Sequence, residues 1–314
     1  MKGIMLMGEP MGLFIAQSPG PLDKVTGYSM AVAGAEFNVA VGLARLEHPV
    51  TYVTKLGNDP FGKLIVNVLT QNNIGSEFVT FSSERNTGFM LKSMVTEGDP
   101  EIFYFRKGSA ASTLSKKDVE NIDFSKYGML HLTGILPALT NETREATYYL
   151  IEKAHENNLV VSFDPNLRPQ LWESRDVMIN TINDLASKAD IFLPGENEGE
   201  ILMGSKNPED ISKFYLSSGT KTVITKLGSK GCHVATKEES FYVDGFKVEK
   251  VVDTVGAGDG FAAGVISALM ENLPLKEAAR RGNAVGAIQV MSRGDNDGLP
   301  DRNQLSDFME DENI

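Results

Sequence analysis

Short apolar runs and segments of helical period take turns along most of this chain. The run "VTYVTKLG" (50–57) leads into "FGKLIVNVLTQNN" (61–73), and "GMLHLTG" (128–134) into "NETREATYYLIEKAHENN" (141–158). Three more runs follow: "LVVSFDPN" (159–166), "DIFLPG" (190–195) and "KTVITKLG" (221–228). Each is apolar at nearly every position, as a strand is when helices cover both faces of a parallel sheet. Strand–helix alternation of this kind predicts an α/β fold with a doubly wound, mostly parallel sheet. The opening "MKGIMLMGEP" reads as a first strand and its turn, since its apolar run is too short for a leader or a membrane span.

Two segments break the rhythm. "GLFIAQSPGPLDKVTGYSMAVA" (12–33) has no helical period, and "TGFMLKSMVTEGDPEIFYFRKG" (87–108) reads as two strands joined by the turn Glu97-Gly98-Asp99-Pro100. They are expected to pair as a small β-sheet lid, made of about 12–33 and 87–108, on an α/β body that runs from 1 to 314 as one domain. No low-complexity linker or internal repeat divides it.

Composition narrows the function. Of 314 residues, 41% are hydrophobic and 23% charged, so a large buried core is expected. Forty-two acidic against 30 basic residues leave a net charge of −12, which argues against a nucleic-acid or anionic membrane surface. It does not exclude a small anionic substrate held by a few local cations. The single cysteine, Cys232, allows no intramolecular disulfide and no cysteine-based metal site. His48, His131, His155 and His233 show no metal spacing. Asn141-Glu142-Thr143 matches a glycosylation sequon, yet nothing else suggests secretion; a cytoplasmic protein is expected.

The chemistry concentrates in "DTVGAGDGFAAG" (253–264). The helix "FAAGVISALMENLP" follows and is stopped near Pro274, which puts the glycines at a helix N-terminus. Unpaired N–H groups and the helix dipole make an anion site there, and Gly256, Ala257 and Gly258 let the backbone come close to it. Asp259 stands where a carboxylate could take a proton from a hydroxyl. Anion-holding amides beside a base suit phosphoryl transfer to an alcohol. Alone, the stretch equally suits a plain helix start with Asp259 as its cap. Two look-alikes fail. "GNDPFGKL" (57–64) has Leu64 where a P-loop needs Ser or Thr, and a dinucleotide fingerprint would need glycine at Phe261.

"DTVGAGDGF" resembles the C-terminal signature of the ribokinase-like, or PfkB, family of sugar kinases. "AGAEFNVAVGLARL" (33–46) with "KLGNDPFG" (55–62) resembles that family's N-terminal signature, and "GNAVGAIQVMSRGD" (282–295) its nucleotide-side helix and loop. The resemblance spans essentially the whole chain and implies the same doubly wound sheet with a β lid. Within the family, "GEP" (8–10), "AGAEFN", "YFRKGSAAS" (104–112), "HLTGILPAL" (131–139) and "FDPNLRPQLW" (163–172) resemble the 2-keto-3-deoxygluconate kinases.

The resemblance implies an ATP- and magnesium-dependent sugar-acid kinase. Asp259 is then the base, and Gly256, Ala257 and Gly258 the anion hole. Gly34 and Asn38 approach the sugar, and Arg168, at a strand end, the substrate and phosphate. Tyr104 and Arg106 share a strand face by period two and are candidates for a carboxylate; a solvated lid edge is the alternative. Asp295 would contact the far end of the sugar, or serve as a turn former. Lys226, Gly228 and Gly231 fall under ATP, with Asn283 near the adenine, though Lys226 could be a solvated strand end. Glu198 aligns with a family glutamate that organises magnesium, with Gly195 where asparagine is usual; Asn197 and Glu200 keep the spacing two residues late. A monovalent cation near Asp253-Thr254 is a further family trait, and Met90 stands where these kinases often place tyrosine. The alternatives are a fructokinase or other neutral-sugar kinase, and a nucleotide-binding regulator without catalysis, against which the intact Asp259 stretch argues. Bare lid edges predict a homo-oligomer formed through the lid.

Overall fold

The structure, a computed structural model, describes residues 2–95 and 100–311. Nine strands form one twisted sheet. In spatial order they are β13 (Ser240–Val243), β12 (Cys232–Ala235), β11 (Thr222–Lys226), β10 (Ile191–Phe192), β9 (Val160–Asp164), β8 (Tyr127–Thr133), β1 (Gly3–Met7), β4 (Val50–Gly57) and β5 (Gly75–Ser82). The seven from β11 to β5 are all parallel; β12 and β13 add an antiparallel edge. The apolar runs thus become the central strands. Period two splits them between the layers: Ile4 and Leu6 enter one core, Met5 and Met7 the other.

One face is covered by α1 (Ala35–Arg45), α2 (Pro60–Gln71), α7 (Ala257–Met270), α8 (Leu275–Gln289) and α9 (Arg302–Asp311). The other carries α3 (Asn141–Glu156), α4 (Arg175–Lys188), α5 (Glu196–Met203) and α6 (Pro208–Ser218). Local signals set the ends. Thr140 caps α3 and Ser174 caps α4. Asp59 caps α2 by accepting from Gly62 N at 2.9 Å, with Pro60 in the first turn, so the P-loop look-alike is a helix cap. Strand β10 is only two residues long; Pro194 ends it because it has no N–H to give.

The two segments without helical period form a separate four-stranded sheet, β3 (Tyr28–Ala33), β2 (Met11–Pro19), β6 (Phe89–Met94) and β7 (Ile102–Phe105), in that order. The pairing joins them across the chain: β2 runs parallel to β6, with β3 and β7 antiparallel at the edges. Of the turn expected at Glu97-Gly98-Asp99-Pro100, the first three residues lie outside the described residues. No helix among the described residues is long and apolar enough to cross a membrane.

Candidate active site

Helix α7 begins at Ala257, four residues earlier than the apolar run alone indicates, so Asp259 lies inside its first turn. Gly256 is the residue before it, at φ +80°, and a Cβ there would sit 2.1 Å from the carbonyl of Asp295. Only glycine fits on both counts. The side chain of Asp253 accepts from Val255 N at 3.0 Å and pins the turn from behind. At the start of α7 the N–H of Ala257 reaches back to Thr254 at 3.4 Å and that of Gly260 to Gly256 at 2.8 Å, while the N–H groups of Gly258 and Asp259, between them, lie where a helix has no carbonyl of its own to offer.

Asp259 is buried and held from two sides. Asn38 Nδ2 donates to one carboxylate oxygen at 2.8 Å, and Asn166 Nδ2 to the other at 3.3 Å. Asn166 follows β9 at φ +37°, a conformation asparagine tolerates better than most residues. Burial pushes the Asp259 carboxyl up to about 7 and the Asp164 charge adds to this, while the Asn38 bond, Arg168 and Lys226 oppose it. A carboxyl poised near neutrality suits proton abstraction.

Two cavities meet beside this residue. The first, of about 420 Å³, has a mixed wall that carries the charged groups; Gly34, Asn38, Tyr104, Arg106, Arg168, Glu198, Asp295, Gly256 and Asp259 all line it. The second, of about 330 Å³, is largely apolar, with Phe246, Val248, Val251 and Val290 in its wall beside Gly228, Gly231, Ala257 and Asn283. Lys226, Thr254 and Gly258 line both. The residues expected at the sugar and those expected at the nucleotide are therefore sorted into adjoining spaces, with Gly258 at the junction.

Several side chains have partners that change their expected parts. Arg106 lies just past β7 and is buried; its Nε donates to Glu9 at 2.8 Å and its Nη2 to the same oxygen. Its charge is already met, so it is not the open cation expected for a carboxylate. Arg168 bonds only the carbonyl of Leu167 and has no acidic partner within 4 Å among the described residues. Asp295 lines the first cavity and is also ion-paired: Lys92 Nζ lies 2.9 Å from it and 2.6 Å from Asp253. Lys226 is no solvated strand end, since its Nζ meets Asp164 at 2.6 Å. Asn283 donates its amide N–H groups to the carbonyls of Val243 and Asp244, which fixes the side chain in the wall of the second cavity.

Glu198 has a backbone part as well as a place in the cavity wall. One oxygen accepts from Leu167 N at 2.9 Å and the other from Gly195 N at 2.8 Å, so it staples the β9 loop to the start of α5. No cluster of three potential metal ligands occurs among the described residues. Sequence reasoning missed Asp164, Asn166, Glu9 and Lys92. The first two were within reach, since "DPN" ends the same strand that places Arg168.

The pattern described as "pfkB family carbohydrate kinase" matches residues 1–302. The chain belongs to that family. A 2-dehydro-3-deoxygluconokinase of Bacillus subtilis (strain 168) is 46% identical over 303 residues, 96% of this chain and 94% of the relative. Among solved structures, a PfkB protein from Polaromonas sp. JS666 superposes with a TM-score of 0.90 at 40% identity, covering 98% of this chain and 99% of its own. A fructokinase double mutant from Vibrio cholerae O395, solved with fructose, ADP and a potassium ion bound, gives 0.87 at 26% identity, with 98% of each chain covered. The fold is ribokinase-like, and this PfkB protein is a carbohydrate kinase.

Proposed function

We propose that this kinase transfers the γ-phosphoryl group of ATP to the terminal hydroxyl of 2-keto-3-deoxygluconate (2-dehydro-3-deoxygluconate), giving the 6-phosphate. The observation that carries the reading is the junction at Gly258, where a cavity lined by charged side chains meets a largely apolar one and Asp259 stands on the charged side. The sugar hydroxyl passes its proton to Asp259 as its oxygen bonds to phosphorus and the bond to ADP breaks. First-turn N–H groups of α7 take up charge on the moving group, with Arg168 and Lys226 nearby. Magnesium bound to the phosphates of ATP would offset their charge; among the described residues no cluster of three potential ligands would hold it directly. Where a monovalent cation is expected, the Asp253 carboxylate already faces the ammonium of Lys92 at 2.6 Å.

A sugar acid is supported by the Bacillus relative and by Arg168, an open cation at the mouth of the first cavity. A neutral-sugar kinase is the second reading, favoured by the pairing of Arg106 with Glu9. ADP release, coupled to an optical assay over sugars and sugar acids, decides between them. We expect kcat/KM for 2-keto-3-deoxygluconate at least about tenfold above fructose, since one cation–carboxylate contact contributes roughly 1.5–3 kcal/mol. A preference for fructose removes the sugar-acid reading alone; no ADP release with any of them removes the kinase reading.

The small sheet is read as a lid of this one domain, and its outer face as the contact for a second copy. Phe14, Met30, Leu91 and Phe103 stand in one cross-strand row on that face, with Met30 56% and Phe103 55% exposed. Exposed apolar rows on a sheet favour pairing with another surface.

A further inference from the structure

Asn296 touches neither cavity, yet it ends a chain of amides that leads to Asp259. Its Nδ2 donates to Asn38 Oδ1 at 2.8 Å and to the carbonyl of Val32, on β3, at 2.9 Å. Asn38 in turn donates from Nδ2 to Asp259 at 2.8 Å. The loop that carries Asn296 is registered on α1: Arg45 Nη1 donates to the carbonyls of Asn296, Asp297 and Leu299 at 3.0, 3.3 and 2.7 Å. Asn38 lies on the same helix, so one helix holds both ends of the relay.

A primary amide has a donor end and an acceptor end of nearly the same shape. Turned over, Asn38 would set its oxygen against the carboxylate of Asp259. The Val32 carbonyl fixes which end of Asn296 faces inward, because only an N–H can meet it. The inward N–H can meet only the oxygen of Asn38, and that leaves the Asn38 N–H groups for Asp259. We propose that Asn296 is a positioning residue for the base, locking Asn38 in the orientation that donates to Asp259 and tying that orientation to strand β3. The inference rests on Asp259 acting as the base.

The lock matters because burial favours the protonated carboxyl, and the Asn38 bond is the largest force opposing it. The other charged groups facing Asp259 are Asp164 on β9, Arg168 beyond it and Lys226 on β11, and Tyr52 on β4 is near enough to feel its charge. None of these is bonded to Asn296.

The test is Asn296→Asp, which keeps the shape and reverses the donors. Facing a carboxylate, Asn38 is drawn to turn its N–H groups away from Asp259. Titration of the Asp259 carboxyl carbon by NMR, with no substrate present, should show its midpoint rising by about one unit, a tenfold change in proton affinity. The acidic limb of kcat/KM should rise by the same amount. In an Asn38→Ala background the same substitution should add less than about 0.3 units, which separates the relay from the direct repulsion of a new charge. If Asn296→Asp does not fold, Asn296→Leu should raise the midpoint in the same direction by a smaller amount. An unmoved midpoint in a folded variant, or an equal shift with and without Asn38, overturns the proposal. A midpoint that moves while the rate profile does not leaves the relay standing and removes Asp259 as the base.

Discussion

Asp259 carries its chemistry and its cost in one group. In the unfolded chain an aspartate titrates near 3.8; here burial holds it near 7. As a base it must be ionised, so activity should rise with pH through about 7. Between those two values the folded protein binds more protons than the unfolded one, so this group makes stability fall as pH rises across the window. Asp259→Asn should therefore cut turnover by about 10²–10⁴-fold and raise the melting temperature, by a wider margin at pH 8 than at pH 5. Glu36, fully buried and also pushed up to about 7 by desolvation, adds a slope of the same sign that the variant retains. Near-normal turnover in the variant would falsify the assignment of the base, and an equal thermal margin at both pH values would remove the linkage. The two arginines separate by the same reasoning. Arg168→Ala removes an open cation and should erase about one to two decades of preference for a sugar acid over fructose. Arg106→Ala strands the buried carboxylate of Glu9 and should cost about 3–5 kcal/mol of stability, with a smaller change in preference. A larger loss of preference from Arg106→Ala, in steady-state assays of both substrates, would return the carboxylate to Arg106.

Among the elements, strand β6 reaches furthest beyond its own sheet, through Lys92. The side chain is 3% exposed and bridges Asp253, behind the α7 turn, and Asp295, against Gly256. Burial opposes its charge, yet the two carboxylates hold it above the usual lysine range. Lys92→Met should leave those carboxylates facing each other and cost about 3–5 kcal/mol, read from urea midpoints, with Lys92→Arg recovering part of it. A methionine variant as stable as the parent would mean that water or a dissolved cation already serves the site. This bridge also shows what could be read before the structure. The strands, the small sheet and the glycine turn with Asp259 follow from local rules: period two, period 3.6, and the need for a glycine at positive φ. Lys92 meets partners 161 and 203 positions away, and Arg106 one 97 positions away. Nothing in "FMLKSM" or "YFRKG" signals those partners, so an arginine expected as a carboxylate contact proved paired with Glu9, and a buried lysine went unnoticed. Glu198 was ambiguous for another reason: a carboxylate three residues into a helix suits a backbone cap as well as a metal, and here both oxygens accept from N–H groups.

At the scale of the whole molecule, the small sheet shows opposite characters on its two faces. Its inner side packs Met11, Leu13, Ala33 and Met90 toward the cavity, while in the outer row of Phe14, Met30, Leu91 and Phe103, Phe14 is backed by Phe61 of α2 at 5.5 Å and Met30 and Phe103 stay more than half exposed. Phe105 extends the patch, stacked on Phe89 at 4.6 Å and 45% exposed. Both edges of the sheet, β3 and β7, also leave backbone groups unpaired within it. A second copy presenting the same face satisfies both needs by two-fold symmetry, since each row is offered to its own counterpart. Sedimentation at micromolar concentration should therefore show a dimer, and Phe103→Glu, which sets two carboxylates into the centre of that contact, should give a monomer. Phe81, 53% exposed at the end of β5 on the main sheet, is the control: Phe81→Glu should leave the dimer intact. If the lids clasp each other, hydrogen exchange in β3 and β7 should slow as concentration rises and slow again with the sugar bound. A parent protein that stays monomeric at high concentration, or a Phe81→Glu variant that dissociates as readily as Phe103→Glu, would move the contact off the lid or abolish it.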